Sequence, residues 1–138
     1  DAIDPYQAVH GNGDVVLYRS AQHELDGKAT ISRFWFDGTN DLSAHDTTLV
    51  DLGTTYRYLL AQNLEANTSA IYRYEDDSIY GVTHGVDLTA AMDWRIGYFT
   101  LRFETEYDLL SLPDSRDDGF AFWVKLKRDL PVINQEIR

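Results

Sequence analysis

Polar and apolar residues alternate one for one through most of the chain between Thr54 and Leu130, over runs longer than globular proteins commonly use. That period of two constrains the fold more than any other feature, because side chains two residues apart share a face only in a strand. Between Leu64 and Glu75, Leu64, Ala66, Thr68, Ala70, Tyr72 and Tyr74 oppose Glu65, Asn67, Ser69, Ile71, Arg73 and Glu75. From His84 to Gly97, Val86, Leu88, Ala90, Met92, Trp94 and Ile96 oppose Gly85, Asp87, Thr89, Ala91, Asp93 and Arg95. Phe99, Leu101, Phe103, Thr105, Tyr107 and Leu109 oppose Tyr98, Thr100, Arg102, Glu104, Glu106 and Asp108. The last run sets Phe120, Phe122, Val124 and Leu126 against Ala121, Trp123, Lys125 and Lys127.

The earlier part of the chain follows the rule less closely. Residues 1–14 contain Pro5, Gly11 and Gly13 without a sustained period and read as an extended N-terminal arm. Val15–Leu25 and Lys28–Asp37 flank Asp26-Gly27, a dipeptide suited to a type I′ hairpin. In that hairpin Arg19 and His23 share parity with Val15 and Leu17, and Arg33 with Ile31 and Trp35, as in an edge or partner-facing strand. Gly38–Asp46 reads as a polar loop, and Thr47–Ala61 as a strand turning at Gln62-Asn63. Asp76–Gly81, Ile96-Gly97-Tyr98 and Pro113–Gly119 supply the later connections, so short and long ones alternate. Pro131 cannot donate to a ladder and is expected to stop the last strand, leaving 131–138 as a tail. The expected organisation is therefore an arm over 1–14, one β domain over 15–130 and a tail over 131–138.

One apolar and one charged face suit a soluble barrel with its apolar side inward or a membrane barrel with it outward. Strand length argues for the second. Several runs span about 12 to 15 residues, roughly 40 Å at about 3.3 Å per residue, more than the roughly 9 to 11 needed to cross a bilayer. Aromatics on the apolar parity, Tyr56, Tyr58, Tyr72, Tyr74, Trp94, Phe99 and Tyr107, gather toward strand ends as in an interfacial girdle, although such residues are also common strand formers. The other parity mixes both charge signs in Arg57, Glu65, Arg73, Asp87, Asp93, Arg95, Arg102, Glu104, Glu106, Lys125 and Lys127. A narrow lumen filled by cross-strand ion pairs needs such a mixture, and a solvated surface shows it too.

The stretch from Gly53 to Asp77, GTTYRYLLAQNLEANTSAIYRYEDD, and that from Trp94 to Leu130 resemble the closing hairpins of Gram-negative outer-membrane β-barrels. In that family the last strand carries an alternating signal ending on an aromatic residue, and Phe122, Val124, Leu126 and Leu130 resemble it. Here the terminal aromatic is missing and eight residues follow Leu130. The resemblance covers about half the chain, and it implies a fold and a location without carrying over any functional residue.

Composition narrows the alternatives. A net charge of -11 makes a nucleic-acid partner an unsuitable expectation, since such a partner needs clustered Lys and Arg. With no cysteine there is no disulfide framework, thiolate metal site or thiol chemistry. No run of about 18 apolar residues forms a transmembrane helix, which leaves a membrane barrel open. The start at Asp1 without Met is expected from processing or an incomplete chain. His10, His23, His45 and His84 lack the spacing of a local metal pair. The loops around Asp114, Asp117 and Asp118 and around Glu75, Asp76 and Asp77 offer calcium-type oxygens without EF-hand spacing. Glu104 and Glu106 share a face, as glycosidase carboxylates must, but any charged strand face produces such pairs. No nucleophile elbow, P-loop or dinucleotide fingerprint is present.

The expectation is thus an all-β, antiparallel up-and-down barrel or barrel portion of about seven to eight long strands. The odd count of seven would be completed by a short strand at Tyr6–Gly11, by a larger barrel, or by several chains sharing one sheet; a soluble sheet docked on a partner is the remaining case. The expected function is a non-catalytic, porin-like or structural component of the outer membrane or cell envelope after signal removal, without cofactor or metal. Its partners would be the lipid bilayer or other protein chains, as a homo-oligomer or within a larger complex. The alternatives are a soluble calycin-like ligand- or partner-binding barrel and a subunit pairing by strand edges in a larger complex.

Overall fold

A computed structural model of the protein describes residues 6–38 and 43–128. They form seven strands: β1 (Tyr6–Arg19), β2 (His23–Phe36), β3 (His45–Ala61), β4 (Leu64–Asp77), β5 (Gly81–Ile96), β6 (Phe99–Ser111) and β7 (Arg116–Arg128). Each strand pairs antiparallel with its sequence neighbours, giving one up-and-down sheet in the order β1 to β7. The sheet does not close, for β1 and β7 make no contact with each other. Strand lengths run from 13 residues in β6 and β7 to 17 in β3.

Connections alternate between the two ends of the sheet. At one end lie the short turns 20–22, 62–63 and 97–98; at the other, the segments 37–44, 78–80 and 112–115. Gly97 adopts φ +59° in its turn and Gly81 φ +86° at the start of β5, a region where a side chain is strained. The first turn is built on Ser20, whose amide donates to the His23 carbonyl at 2.7 Å while its Oγ accepts from the His23 amide at 3.0 Å.

The expected hairpin at Asp26-Gly27 is therefore not formed. Both residues lie inside β2, paired with Val16 and Val15 on one side and with Thr55 and Thr54 on the other. Gly27 sits in a crowded place rather than in a turn, since a Cβ there would lie 3.3 Å from side-chain carbons of both Leu17 and Val15. A bulge between Val16 and Tyr18 leaves Leu17 unpaired, and this slip is why alternation fails in the first hairpin. A second bulge between Leu59 and Ala61 does the same to Leu60. Residues 6–14 of the expected arm are ladder-paired as the first part of β1, so Tyr6–Gly11 is no separate strand. The polar loops expected at 76–81 and 113–119 shrink, because β4 runs to Asp77 and β7 starts at Arg116. Residues 1–5 and the tail 131–138 lie outside the described residues.

The registers put every apolar parity on one face. The row through Leu25, Tyr56, Thr68, Ala90, Thr105 and Phe122 is one example, and the row through Glu24, Arg57, Asn67, Ala91, Glu104 and Trp123 belongs to the opposite face. Burial differs between the faces in the sense opposite to a water-soluble sheet. Ser32, Thr47, Asp77 and Gly85 are buried on the polar face, and Ala91 there, 8% exposed, is the one buried hydrophobic among the described residues. On the apolar face Phe120 is 72% exposed and Leu126 67%. The described residues thus form a paired backbone without a hydrophobic core, and the apolar burial that ordinarily drives folding is not met within them.

Candidate functional site

The apolar face is graded along its strands. Its charged residues are Arg33, Asp46, Asp76, Arg116, Asp118 and Arg128, all at or near strand ends. Inward from all of these but Arg33 come two aromatic belts. Tyr18, Tyr56, Tyr58, Trp94 and Phe99 lie toward the short turns, and Trp35, Tyr72, Tyr74, Tyr107 and Phe120 toward the long connections. Between them stand small and aliphatic residues such as Ala29, Leu52, Thr54, Ala70, Leu88 and Ala90. One charged residue of this face falls inside the belts: Arg33, two residues inward of Trp35 on β2, its guanidinium 5.3 Å from the Trp35 ring. All seven expected aromatics lie on this face; Tyr18, Trp35 and Phe120 complete the belts, Trp35 and Phe120 with a parity legible in the sequence and Tyr18 hidden by the misplaced first turn. In the short-turn belt the His23 ring stacks on Tyr58 at 4.5 Å, and its Nδ1 lies 2.7 Å from Tyr56 Oη.

The belts slant across the pairing rows. The row of Tyr18 passes through Leu25, Tyr56, Thr68 and Ala90 to Thr105, whereas the belt has reached Phe99 on β6: 105 − 99 is six residues over five strand steps. The row of Tyr74 passes through His84 and Ser111 to Arg116, whereas the belt has reached Phe120 on β7: 120 − 116 is four residues over three steps. Both give about 1.2 to 1.3 residues per strand, or roughly 4 Å along each strand for about 4.8 Å across, a tilt of about 40°. Closed barrels have strand tilts of this size. On β6 the belts at Phe99 and Tyr107 are roughly 26 Å apart along the strand.

The polar face carries the charge ladder. Glu24 on β2 is flanked by Arg19 on β1 and Arg57 on β3, the latter pair 2.5 Å apart. On the next strands Glu65 accepts from Asn67 Nδ2 at 3.1 Å. Arg102 reaches Asp93 at 3.1 Å and Glu104 at 2.6 Å, and Lys125 reaches Glu104 at 3.3 Å. Arg73 pairs with Asp87 at 3.1 Å farther toward the long connections. Of the expected residues the structure thus joins Arg57, Arg73, Asp87, Asp93, Arg102, Glu104 and Lys125 into ion pairs. Arg95, Glu106 and Lys127 lie on the same face. Arg19 and Glu24 were missed, and their signal was a five-residue separation across Ser20-Ala21-Gln22. Near Arg73 a groove of about 530 Å³ is lined by Asp51, Glu75, Asp87 and Asp108.

Beyond the long-connection belt, Asp77 organises the β4–β5 turn. Its Oδ2 accepts from Thr47 Oγ1 at 2.5 Å, and its Oδ1 from the amides of Ile79 and Tyr80 at 2.8 and 3.0 Å. The Thr47 hydroxyl is the largest of several influences, ahead of the Tyr80 amide, that hold the Asp77 carboxyl below its ordinary pKa. Asp76 points to the face opposite Glu75 and Asp77, and Asp118 to the face opposite Asp117, so neither acidic loop gathers all its carboxylates on one face. Among the described residues no group of three or more His, Asp or Glu side chains is placed to hold a metal, and no helix is long and apolar enough to cross a membrane. Compared with protein-family models, curated proteins and solved structures, the chain matches none.

Proposed function

We propose that this sheet is a wall of an outer-membrane-type β-barrel, with its apolar face against lipid and its charged face lining the interior, serving a porin-like or structural role in the cell envelope. The observation that carries the reading is the apolar band, charged only at its margin by Arg33 beside Trp35, bounded by two aromatic belts that slant together. Lipid-facing barrel surfaces have an apolar band about 25 Å tall between aromatic girdles, and a slanted pair of belts becomes level when strands tilt by about 40°. The paired charges on the more enclosed face suit an interior where each charge needs a partner. A soluble ligand-holding barrel needs the apolar parity enclosed, and here it is the more exposed one.

The test is membrane fractionation followed by gel migration of unboiled and boiled samples. The reading expects the protein in outer-membrane fractions with a mobility shift on boiling. Recovery in the soluble fraction with one mobility overturns it.

A further inference from the structure

The even-numbered residues of β2 belong to the charged face, yet the last two of them are Phe34 and Phe36. Pairing sets Tyr6 of β1 on one side of Phe36 and His45 of β3 on the other, so four rings gather where these strands meet the long connections. Ring centroids of Tyr6 lie 6.5 Å from Phe34 and 6.0 Å from Phe36, and His45 stacks on Phe36 at 4.4 Å. Apart from Trp123, no other Phe, Tyr or Trp of the described strands shares this face. The cluster is open to the surroundings, with Tyr6 57% exposed.

Beside the rings the face turns acidic. Leu49, diagonal to Phe34 across the β2–β3 ladder, leads into the groove of about 530 Å³. Asp51, Glu75, Asp87 and Asp108 line that groove, and Arg73 is the one Lys or Arg among its lining residues. Arg73 is paired with Asp87, whereas Asp51, Glu75 and Asp108 make no side-chain hydrogen bond or ion pair among the described residues. Glu75 stands two strands and two residues from Phe34, which places their Cα atoms about 12 Å apart.

We infer that rings and groove form one binding site for an organic cation, an ammonium group carried on an aromatic or aliphatic body. The body lies on Tyr6, Phe34 and Phe36, and the cationic head sits among Asp51, Glu75 and Asp108. Carboxylates without a protein partner draw cations to the groove and repel anions. The rings supply apolar contact area for the body, and their negative π faces favour a positive charge nearby. A metal ion would leave the rings unused and would find no converging group of three His, Asp or Glu ligands among the described residues. A neutral ligand would leave the carboxylates without a counter-charge. The strand registers alone bring the two halves together, so the site does not rest on the lipid reading.

Three small probes separate the contributions: benzyltrimethylammonium carries ring and cation, tetramethylammonium only the cation, and phenylmethanesulfonate a ring with the opposite charge. Each is titrated into the intact, isotope-labelled folded protein while backbone amide signals are followed. Benzyltrimethylammonium is expected to shift the amides around Phe34, Phe36 and Glu75 saturably, tetramethylammonium to bind at least about tenfold more weakly, and phenylmethanesulfonate to leave them in place. Phe34→Leu and Glu75→Gln are each expected to weaken binding of benzyltrimethylammonium roughly three- to tenfold. Glu65→Gln, which removes the same charge from the short-turn half of this face, should leave it unchanged. An absent or non-saturating shift, as when the rings serve only to pack the β2–β3 connection, overturns the inference. So does an equal response to the anion, or equal weakening by Glu65→Gln and Glu75→Gln, which would mean diffuse attraction to an acidic surface. The probe comparison on the unsubstituted protein needs no variant. Its outcome is independent of membrane fractionation, so this inference and the lipid reading can fail separately.

Discussion

Asp77 gathers three donors at the end of β4, and its ionised form is what they hold. Because its folded pKa lies below the unfolded value, its stabilisation is present at any pH above the ordinary carboxylate range and is lost as pH falls through the depressed folded value. Thr47→Val removes the donor of the 2.5 Å bond and is expected to cost roughly 1 kcal/mol at neutral pH. Denaturant titrations at several pH values should show that deficit shrinking on acidification below about 4; a deficit independent of pH would mean that Thr47 acts by packing. At the middle of the apolar band, Ala90→Arg is expected to cost roughly 2 to 4 kcal/mol of folding stability in lipid. The same substitution at Ala121, on the other face, should cost less. Equal costs would remove the distinction between the faces.

Strands are where the reading of the sequence succeeded and where it slipped. From β4 onward the alternation runs unbroken, so parity alone sorted Asp93, Arg102, Glu104 and Lys125 onto one face, and the registers then paired them. In the first hairpin one unpaired residue, Leu17, reverses the parity of everything between it and the turn. Pattern matching then seized on Asp26-Gly27 and overlooked Arg19 and Glu24, because a bulge depends on cross-strand geometry that no local dipeptide records. Glycines make the same point: Gly-to-Ala changes should differ in sign with their place in the ladder. A Cβ at Gly85 would lie 3.0 Å from the Leu109 carbonyl oxygen, with backbone that cannot step aside. Gly85→Ala should therefore destabilise by about 1 to 3 kcal/mol. At Gly13 a Cβ meets nothing within 4 Å, so Gly13→Ala should be neutral or stabilise by about 0.5 kcal/mol through the unfolded chain. Thermal melts of the two variants decide this, and like-signed shifts would contradict the ladder geometry.

At the scale of the whole molecule, the sheet inverts the usual relation between polarity and enclosure. Ala91 is the one buried hydrophobic among the described residues, while most of the exposed aromatic and aliphatic side chains of β1 to β7 stand on the apolar face. Strand number and length were legible in the sequence, since a period of two over about 12 to 15 residues allows little else. Which face is enclosed was not legible, because alternation is symmetric between inside and outside. Nor was the open edge between β1 and β7, which depends on how seven strands curve together.

The most direct test uses the tryptophans, which the fold distributes unequally: Trp35 and Trp94 on the apolar face, one in each belt, and Trp123 on the polar face. Two single-tryptophan variants, one retaining Trp94 and one retaining Trp123 with phenylalanine at the other positions, would be reconstituted in vesicles of bromine-labelled lipid and their fluorescence compared with that in unlabelled vesicles. The account predicts strong quenching of Trp94 and little of Trp123. Quenching of Trp123 with Trp94 spared, or of neither, would contradict the placement of the apolar face against lipid.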